Sequence, residues 1–329
     1  MKVVMFYNEN GSPKCENYYH LFDENGITFE RVLDGCSADE AVAACRGADA
    51  VITPLQPFPR EVIERLDSSV KAIVRVAMGY EIIDVDAASE RGIYVCNIPD
   101  YAMEEVAVHQ AALILAALRK VCWYDRKVRR GEYTHIGYLS GYPARRISTM
   151  SVGLIGFGRI AKNLAKYMLS FGAKVYAFDP FLPEDAFTSR GVIMAKTKDE
   201  IYEKCDIISP NMPLTNSTYH IIDADGFAKM KDGVIVVNTG RGPLIDQNAL
   251  IEALQSGKIR AAALDVFETE PLPKDNPLMS MENVVLTPHI AYQTVESFEE
   301  LQRKAVEYSI AGAKGEKPAG AVNPACRDK

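Results

Sequence analysis

The chain has 329 residues, of which 48% are hydrophobic and 25% are charged, and its formal net charge is −7. This length exceeds what one hydrophobic core usually serves, so two domains are predicted. The acidic balance excludes a broad electrostatic attraction for nucleic acid or for anionic lipid, and the predicted partner is therefore a small molecule.

The first hundred residues alternate short apolar runs with amphipathic stretches, which predicts repeated strand and helix units. The apolar runs lie at residues 3–6, 50–53, 72–76 and 93–96. The N-terminal sequence MKVVMFYN fits a first strand and lacks the features of a signal peptide. We therefore expect a cytoplasmic protein.

One long helix is predicted at residues 104–130, and it is apolar nearly all round between residues 111 and 118. That apolar run is much shorter than the roughly 20 residues that span a bilayer, so no membrane-spanning segment is predicted. A helix buried on every side needs several neighbours. We predict that it packs between the domains or against a second copy of the chain, and we expect a homodimer.

A stretch rich in Gly, Tyr and Ser at residues 134–144 is predicted to separate this helix from a second unit at residues 151–288. The predicted strands of that unit have the sequences VGLIG, AKVYAF, DIISPN, GVIVVN, IRAAALD and NVVLTP, which are typical of parallel strands covered on both faces. A last helix is predicted at residues 294–314. We expect it to return to the first domain, so that the chain crosses between the domains twice.

The turn GFGRIA at residues 156–161 follows the first strand of the second unit. Gly156 permits a tight turn, Gly158 has no Cβ to block a pyrophosphate, and Ala161 lets helix and strand approach closely. Alone, the pattern is also compatible with glycines that merely end a strand. Between a strand and a helix it predicts a dinucleotide site, with the helix N-terminus facing the phosphates.

Asp179 ends the next predicted strand, 18 residues beyond Ala161. A carboxylate at this place accepts hydrogen bonds from ribose hydroxyls and repels a 2′-phosphate. No arginine occurs between Asp179 and Arg190 to bind such a phosphate. These features predict NAD as the cofactor, in preference to NADP. The alternative is that Asp179 is only a turn residue before Pro180.

Three later strand ends carry polar residues: Arg241 in VVNTGRG, Asp265 and Glu270 in AALDVFETEP, and His289 in LTPHIAYQT. Reduction of a 2-oxo acid needs a cation for the carboxylate, for which arginine is suited, and a proton donor for the carbonyl oxygen. Histidine titrates near neutrality, and a carboxylate such as Glu270 would favour its protonated form. Taken singly, each residue is also explained as a cap, a turn or a loop charge. The seven cysteines form no CxxC pair, and no metal site is predicted.

The ordered set of segments resembles the D-isomer-specific 2-hydroxyacid dehydrogenases over residues 71–294. The matching segments are VRVAMGYEIIDVDAASERGIYVCNIP, GLIGFGRIA, NMPLT, VVNTGRGPLIDQNAL, AALDVFETEP and TPHIA. The resemblance implies an α/β protein with two doubly wound parallel-sheet domains around a cleft. One is a flavodoxin-like substrate domain, residues 1–101 plus 292–329, and the other is a Rossmann NAD-binding domain, residues 102–291. It also implies an enzyme that transfers a hydride between NADH and a 2-oxo acid to give the D-2-hydroxy acid.

The resemblance further implies the roles of individual residues. Arg241, Glu270 and His289 would be catalytic. The implied NAD-binding residues are Gly156, Phe157, Gly158, Arg159, Ile160, Ala161, Asp179, Met212, Pro213, Thr218, Thr239, Gly240, Asp265, His289 and Ala291, with Asp265 at the nicotinamide carboxamide. The implied substrate-binding residues are Met78, Gly79, Tyr101, Arg241 and Tyr292, although the two tyrosines are also explained as packing residues.

Some positions depart from the commoner family pattern, namely Ala77, where Gly is usual, Glu81 and Ile82, where Asp and Asn are usual, and Ala161 as the third small residue of the phosphate loop. They affect the shape of the substrate loop and remove no catalytic group. Relatives that oxidise 3-phosphoglycerate carry arginines in the segment matching TPLQPFPRE at residues 53–61, where this chain has Leu, Gln, Pro and Phe. A substrate with an uncharged side chain is therefore expected.

Alternatives within the enzyme class are a 3-phosphoglycerate dehydrogenase and a glyoxylate or hydroxypyruvate reductase. The alternative outside that class is an NAD-sensing scaffold similar to the C-terminal-binding proteins, which keep the same core. The segment VCNIP, followed by two glutamates, is similar in both groups. Because this chain lacks the long tails of such scaffolds, an enzyme is the favoured hypothesis.

Overall fold

The computed structural model of the chain describes residues 1–8, 15–132 and 144–327. Packing divides the chain into two compact units, which we call unit 1 (Met1–Ala102 with Gln293–Lys329) and unit 2 (Met103–Tyr292). The predicted separating stretch at residues 134–144 lies outside the described residues, except for its last residue.

The N-terminal part of unit 1 forms a parallel five-stranded sheet. Its strands are β1 (Lys2–Tyr7), β2 (Thr28–Leu33), β3 (Ala50–Thr53), β4 (Ala72–Arg75) and β5 (Tyr94–Cys96), in the order β2-β1-β3-β4-β5. Its helices are α1 (His20–Glu24), α2 (Ala38–Ala44), α3 (Arg60–Ile63) and α4 (Val85–Glu90). This strand order is that of the predicted flavodoxin-like doubly wound fold.

Unit 2 forms a parallel seven-stranded sheet. Its strands are β6 (Ser151–Ile155), β7 (Lys174–Phe178), β8 (Ile193–Met194), β9 (Ile207–Pro210), β10 (Val234–Asn238), β11 (Ile259–Leu264) and β12 (Val284–Leu286), in the order β12-β11-β10-β9-β6-β7-β8. Its helices are α5 (Met103–Arg119), α6 (Val121–Arg129), α7 (Arg159–Ser170), α8 (Asp185–Thr188), α9 (Lys198–Lys204), α10 (Ala224–Lys229) and α11 (Gln247–Gln255). The strand order reverses at β6, as in the predicted Rossmann fold, and ligands bind at such a reversal.

The apolar strands of unit 2 are covered on both faces, as their sequences predicted. In β10, Ile235 and Val237 belong to one buried cluster, whereas Val234 and Val236 belong to another. Because successive side chains of a strand point to opposite faces, a central strand between two helix layers needs an unbroken apolar run.

The prediction of one continuous helix at residues 104–130 is wrong. The chain turns at Lys120, whose φ of 55° lies in the left-handed region, and α5 and α6 are bent by 62° at this break. The apolar residues of α5 pack on the core of unit 2 itself, where the helix contacts α7, β10 and β11. The sheet of its own unit therefore supplies the neighbours that this helix needs.

Among the residues that the structure describes, no single helix is long and apolar enough to cross a membrane. The bent pair of α5 and α6 passes that test of length and composition only when the two helices are taken together.

The last helix, α12 (Val295–Lys314), belongs to unit 1 and packs on β1, β3 and β4. It starts where the sequence predicted, because the Thr294 side chain accepts a hydrogen bond from the Ser297 N–H in a capping box. Gly312 allows close packing, since a Cβ there would overlap the side chain of Ala72. Unit 1 is thus completed by the C-terminal part of the chain.

Candidate active site

The predicted phosphate loop joins β6 to α7. Gly156 has a φ of 89°, and a Cβ there would lie 2.7 Å from the Asn211 carbonyl oxygen, so only glycine fits. Gly158 precedes the first residue of α7, and a Cβ built on it meets no protein atom within 4 Å. The space in front of the α7 N-terminus is therefore open, and it fits the pyrophosphate of a dinucleotide.

The other residues of this loop divide between the surface and the core. Arg159 is exposed and Ile160 is half-buried, whereas Ala161 is 1% exposed where α7 approaches the sheet. Phe157 is fully buried and stacks on Phe187, with ring centroids 4.9 Å apart. Phe157 can therefore approach a cofactor only through its backbone.

Asp179 follows β7 directly, at the carboxyl end of the sheet. Its Oδ2 accepts a hydrogen bond of 2.9 Å from the Phe157 N–H, and its Oδ1 accepts one of 3.0 Å from the Phe181 N–H. The carboxylate therefore braces the phosphate loop and forms the turn that was the alternative prediction. Its negative charge still stands beside the loop that would bind the cofactor.

The segment after β9 carries three further predicted cofactor residues. Met212 is half-buried against the core, and the Thr218 hydroxyl donates a 2.7 Å hydrogen bond to the Pro213 carbonyl oxygen. The same Thr218 oxygen accepts a 2.7 Å hydrogen bond from the Thr215 N–H. Thr218 thus closes the turn that holds Met212 and Pro213 at the end of β9.

Arg241 stands in the turn after β10, behind Thr239 and Gly240. Asn238, which is 1% exposed, shapes this turn, because its side chain accepts from the Gly240 N–H at 3.0 Å and donates to the Arg241 carbonyl oxygen at 2.9 Å. Sequence reasoning missed Asn238, although a buried polar residue at a strand end was the signal. A Cβ on Gly242 would overlap the Phe267 carbonyl group, so this turn packs directly on the segment that leads to Glu270.

Glu270 and His289 form a direct pair. The His289 Nδ1 lies 2.7 Å from the Glu270 Oε2, and the Phe267 N–H donates to the Glu270 Oε1 at 3.0 Å. Burial alone would raise the pKa of Glu270, but the hydrogen bonds from His289 and Phe267 outweigh it and hold this pKa below its ordinary value. The charge of Arg241 acts in the same direction. The pair thus consists of a carboxylate and a ring whose other nitrogen, Nε2, takes no part in the pair. Tyr292 meets the His289 ring edge-on, at 6.2 Å between centroids.

Asp265 is fully buried and shapes the loop that carries His289. Its Oδ1 accepts from the Thr287 hydroxyl at 2.5 Å and from the Ile290 N–H at 3.0 Å, and its Oδ2 accepts from the Ala291 N–H at 3.0 Å. The Asp265 carbonyl oxygen accepts from the His289 N–H at 2.8 Å. Sequence reasoning missed Thr287 and this bracing, because they depend on contacts between β11 and β12.

The remaining predicted residues belong to unit 1. Met78 and Gly79 lie in the turn after β4, where the Asn97 side chain donates a 2.6 Å hydrogen bond to the Met78 carbonyl oxygen. Tyr101 follows β5 and is 7% exposed.

His220 stands between two carboxylates near the site. Its Nε2 lies 2.7 Å from the Glu268 Oε1, and its Nδ1 lies 3.7 Å from the Asp246 Oδ2. These residue types bind metals, and their ligand atoms lie within 4.8 Å of one another. The two carboxylates, however, face opposite nitrogens of one ring, whereas metal ligands converge on one point. The group therefore links the turn after β9 to the segments that follow β10 and β11.

Comparison with known proteins places these features in a family. The family model described as "D-isomer specific 2-hydroxyacid dehydrogenase, NAD binding domain" matches residues 111–291. A D-3-phosphoglycerate dehydrogenase of Methanocaldococcus jannaschii is 38% identical over 286 residues, which cover 87% of this chain and 53% of that protein. The chain thus spans about half the length of that relative.

A glyoxylate reductase of Korarchaeum cryptofilum is 37% identical over 321 residues, which cover 96% of this chain and 93% of that protein. Among solved structures, a D-lactate dehydrogenase of Aquifex aeolicus, complexed with NAD and lactic acid, matches with a TM-score of 0.81 and 29% identity. That match covers 95% of this chain and 96% of the other.

Proposed function

The chain belongs to the D-isomer specific 2-hydroxyacid dehydrogenase family, and from this we propose that it is an NAD-dependent oxidoreductase. It transfers a hydride between NADH and a 2-oxo acid to give the D-2-hydroxy acid. The observation that carries the proposal is the 2.7 Å pair of His289 and Glu270, which stands with Arg241 at the carboxyl ends of neighbouring strands. The names of the relatives support an enzyme over a regulatory scaffold.

The cofactor site is assigned to the loops at the carboxyl end of the unit 2 sheet. Gly158 leaves room for the pyrophosphate at the α7 N-terminus, and Gly156 permits the tight turn before it. Asp179 accepts hydrogen bonds from the ribose hydroxyls and disfavours NADP. The same proposal assigns contacts with the cofactor to the segments after β9 and β10 and to Asp265. When NADH is bound, it supplies the hydride that reduces the carbonyl carbon.

The side chains of the protein supply the remaining chemistry. Arg241 binds the substrate carboxylate through its planar fork. His289 donates a proton from Nε2 to the carbonyl oxygen as that oxygen gains charge, and in the reverse direction it removes this proton. Glu270 holds the ring through Nδ1 and leaves Nε2 for the proton transfer.

We further propose that the substrate has an uncharged side chain, as in pyruvate, phenylpyruvate or a branched 2-oxo acid. Substrate contacts are assigned to Met78, Gly79 and Tyr101 of unit 1 and to Tyr292. The chain has Leu55, Gln56, Pro57 and Phe58 in the segment where relatives that oxidise 3-phosphoglycerate carry arginines, which disfavours a phosphorylated substrate. A glyoxylate or hydroxypyruvate reductase is the second candidate, since two relatives with these names are 37% and 36% identical to the chain.

The test is the loss of NADH absorbance with a panel of acids: pyruvate, phenylpyruvate, 2-oxoisocaproate, glyoxylate, hydroxypyruvate and phosphohydroxypyruvate. We expect turnover of 2-oxo acids that have an uncharged side chain. We expect His289→Ala to lower kcat about 10²- to 10⁴-fold, because general acid catalysis contributes that much to the rate. Higher kcat/KM with phosphohydroxypyruvate would reject the proposed substrate. Tight NADH binding without turnover of any acid would reject the enzyme.

We also propose a cytoplasmic homodimer. Support for the dimer comes from α6, where Val121, Tyr124 and Val128 are 56%, 41% and 54% exposed on one helical face. Light scattering should give twice the chain mass, and the double variant Val121→Glu, Val128→Glu should give the mass of one chain. Val295→Glu, at a residue that is 71% exposed on α12, is the matched control. A wild-type mass of one chain would reject the dimer.

A further inference from the structure

His109 lies on the largely apolar inner face of α5, next to the buried polar residue Gln110. Its neighbours Ala107, Gln110 and Ala111 are buried, and the His109 side chain is itself only 23% exposed. Its Nε2 lies 3.0 Å from the Thr287 hydroxyl oxygen and 3.6 Å from the Asp265 Oδ1. The ring therefore meets the two side chains from which the His289 loop is built.

The hydrogen atoms of this contact can be assigned by counting. An ionised carboxylate only accepts hydrogen bonds, so the single hydroxyl hydrogen of Thr287 is donated to the Asp265 Oδ1, at 2.5 Å. The Thr287 oxygen then has only lone pairs left for His109. The Nε2 of His109 must therefore carry a hydrogen and donate it to Thr287.

The chain of hydrogen bonds from His109 ends on the loop of His289. The Asp265 carboxylate, fully buried, also receives the N–H groups of Ile290 and Ala291 at 3.0 Å each. His289 itself has a φ of 55°, in the left-handed region that costs a residue with a Cβ some backbone energy. One carboxylate thus accepts three hydrogen bonds from this loop.

We propose that His109 is a positioning residue for His289. By donating to Thr287, it fixes the hydroxyl and, through it, the Asp265 carboxylate that shapes the loop. His109 holds the proton donor in place without touching the substrate. This inference rests on the proposed function for its kinetic consequence, although its structural consequence is independent of any activity.

Variants of His109 distinguish the effect of its N–H donor from the effect of the size of its ring. His109→Phe keeps a planar ring and removes the donor, whereas His109→Gln keeps an amide N–H of similar reach. His20→Phe, at an exposed histidine of α1, is the control. Thr287→Val removes the hydroxyl that links His109 to Asp265. Together with the double variant His109→Phe, Thr287→Val, it completes a double-mutant cycle that measures the coupling between His109 and Thr287.

The kinetic readout is kcat per NADH-binding site, so that a loss of folded protein does not lower the measured kcat. We expect His109→Phe to lower kcat about tenfold, since a misplaced catalytic group costs about one to two orders of magnitude, with KM for the 2-oxo acid changed less than twofold. His109→Gln should recover most of the rate, and the double variant should be no slower than Thr287→Val. An unchanged kcat in His109→Phe, or equal losses in the Phe and Gln variants, would overturn the inference.

The second readout is amide hydrogen exchange of residues 287–291, which needs no turnover. We expect about tenfold faster exchange at Ile290 and Ala291 in His109→Phe than in the wild type, because a weakened acceptor lowers the cost of local opening. His109→Gln and His20→Phe should exchange like the wild type. If the wild type reduces no acid but the exchange still accelerates, the proposed function fails and the positioning role stands. Unchanged exchange in His109→Phe would overturn the positioning role.

Discussion

Asp265 and Glu270 follow the same strand and differ sharply in their surroundings. Asp265 is fully buried and takes three hydrogen bonds from the loop after β12. Glu270 is partly open to solvent and faces the ring of His289, with 35% of its side chain exposed. The sequence predicted that Glu270 acts on the ring of His289, but it did not predict that Asp265 shapes the loop of His289, because that role depends on contacts with residues after another strand.

Arg241 is expected to be sensitive even to replacement by another cation. Arg241→Lys keeps the charge but loses the planar fork that binds a carboxylate through two hydrogen bonds. We expect KM for the 2-oxo acid to rise about tenfold, the cost of roughly one charge-assisted hydrogen bond. Steady-state kinetics measures this KM, and NADH titration serves as the control. An unchanged KM would show that Arg241 does not bind the carboxylate.

Glu270 gives a prediction on pH. Its pKa lies below the ordinary 4.5, so its ionised form is favoured in the folded protein and stabilises it above that pH. This stabilisation is lost as the pH falls through the lowered pKa. Because the side chain is partly exposed, we expect Glu270→Gln to cost about 1 kcal/mol or less at neutral pH. The difference between the two unfolding curves should vanish once the pH lies below this lowered pKa, where both side chains are neutral. A difference that grows on acidification would contradict the pairing with His289.

Among the helices and strands, the buried ones were predicted more accurately than the exposed ones. The strands β3, β6 and β10 and the helix α12 have strong apolar patterns, and their sequences located them closely. The edge strand β2 was missed, because its partner lies on one side only and its sequence TFERVL has no buried residue. The break at Lys120 was missed because lysine is a good helix former, so nothing local announces its left-handed conformation.

The phosphate loop offers a variant that separates folding from binding. Gly158→Ala adds a Cβ that meets no protein atom within 4 Å, at a φ of −73° that alanine readily adopts. We expect the thermal midpoint to stay the same or to rise, since alanine restricts the unfolded chain. The Kd for NADH should rise at least about tenfold, because the Cβ occupies the place of the pyrophosphate. Fluorescence titration with NADH measures this Kd.

Gly156→Ala is the companion variant, because its Cβ would instead collide with the Asn211 backbone. It should lose stability as well as affinity. Unchanged NADH affinity in Gly158→Ala would contradict the placement of the pyrophosphate.

At the scale of the whole molecule, the chain enters unit 2 after Ala102 and returns to unit 1 at Gln293. The sequence predicted two such crossings, because the second strand and helix series has chain on both sides. The same pattern predicts that the last helix returns to the first domain, but it does not show which residues the helix contacts there. Those contacts, such as Gly312 against Ala72, join residues far apart in sequence.

Unit 2 has its own sheet and two buried clusters, so we expect residues 103–292 to fold as an independent fragment. The fragment should bind NADH within about tenfold of the full chain and reduce no 2-oxo acid, since Met78 and Tyr101 are absent from it. Circular dichroism and NADH titration test this expectation. A chain ending at Tyr292 is the complementary case, and it should keep NADH binding while unit 1 loses its cooperative unfolding. An unfolded fragment would show that unit 2 depends on unit 1.

The position of α12 has a consequence for protein synthesis. A nascent chain leaves the ribosome from its N-terminus, yet β1, β3 and β4 receive their covering helix only after residue 314 has emerged. Residues 103–292 are complete before then, so the later part of the chain can reach its folded state while the earlier part still waits. The order of synthesis therefore allows unit 2 to fold before unit 1 is complete, and the open face of the first sheet is the surface that a chaperone would shield in the interval.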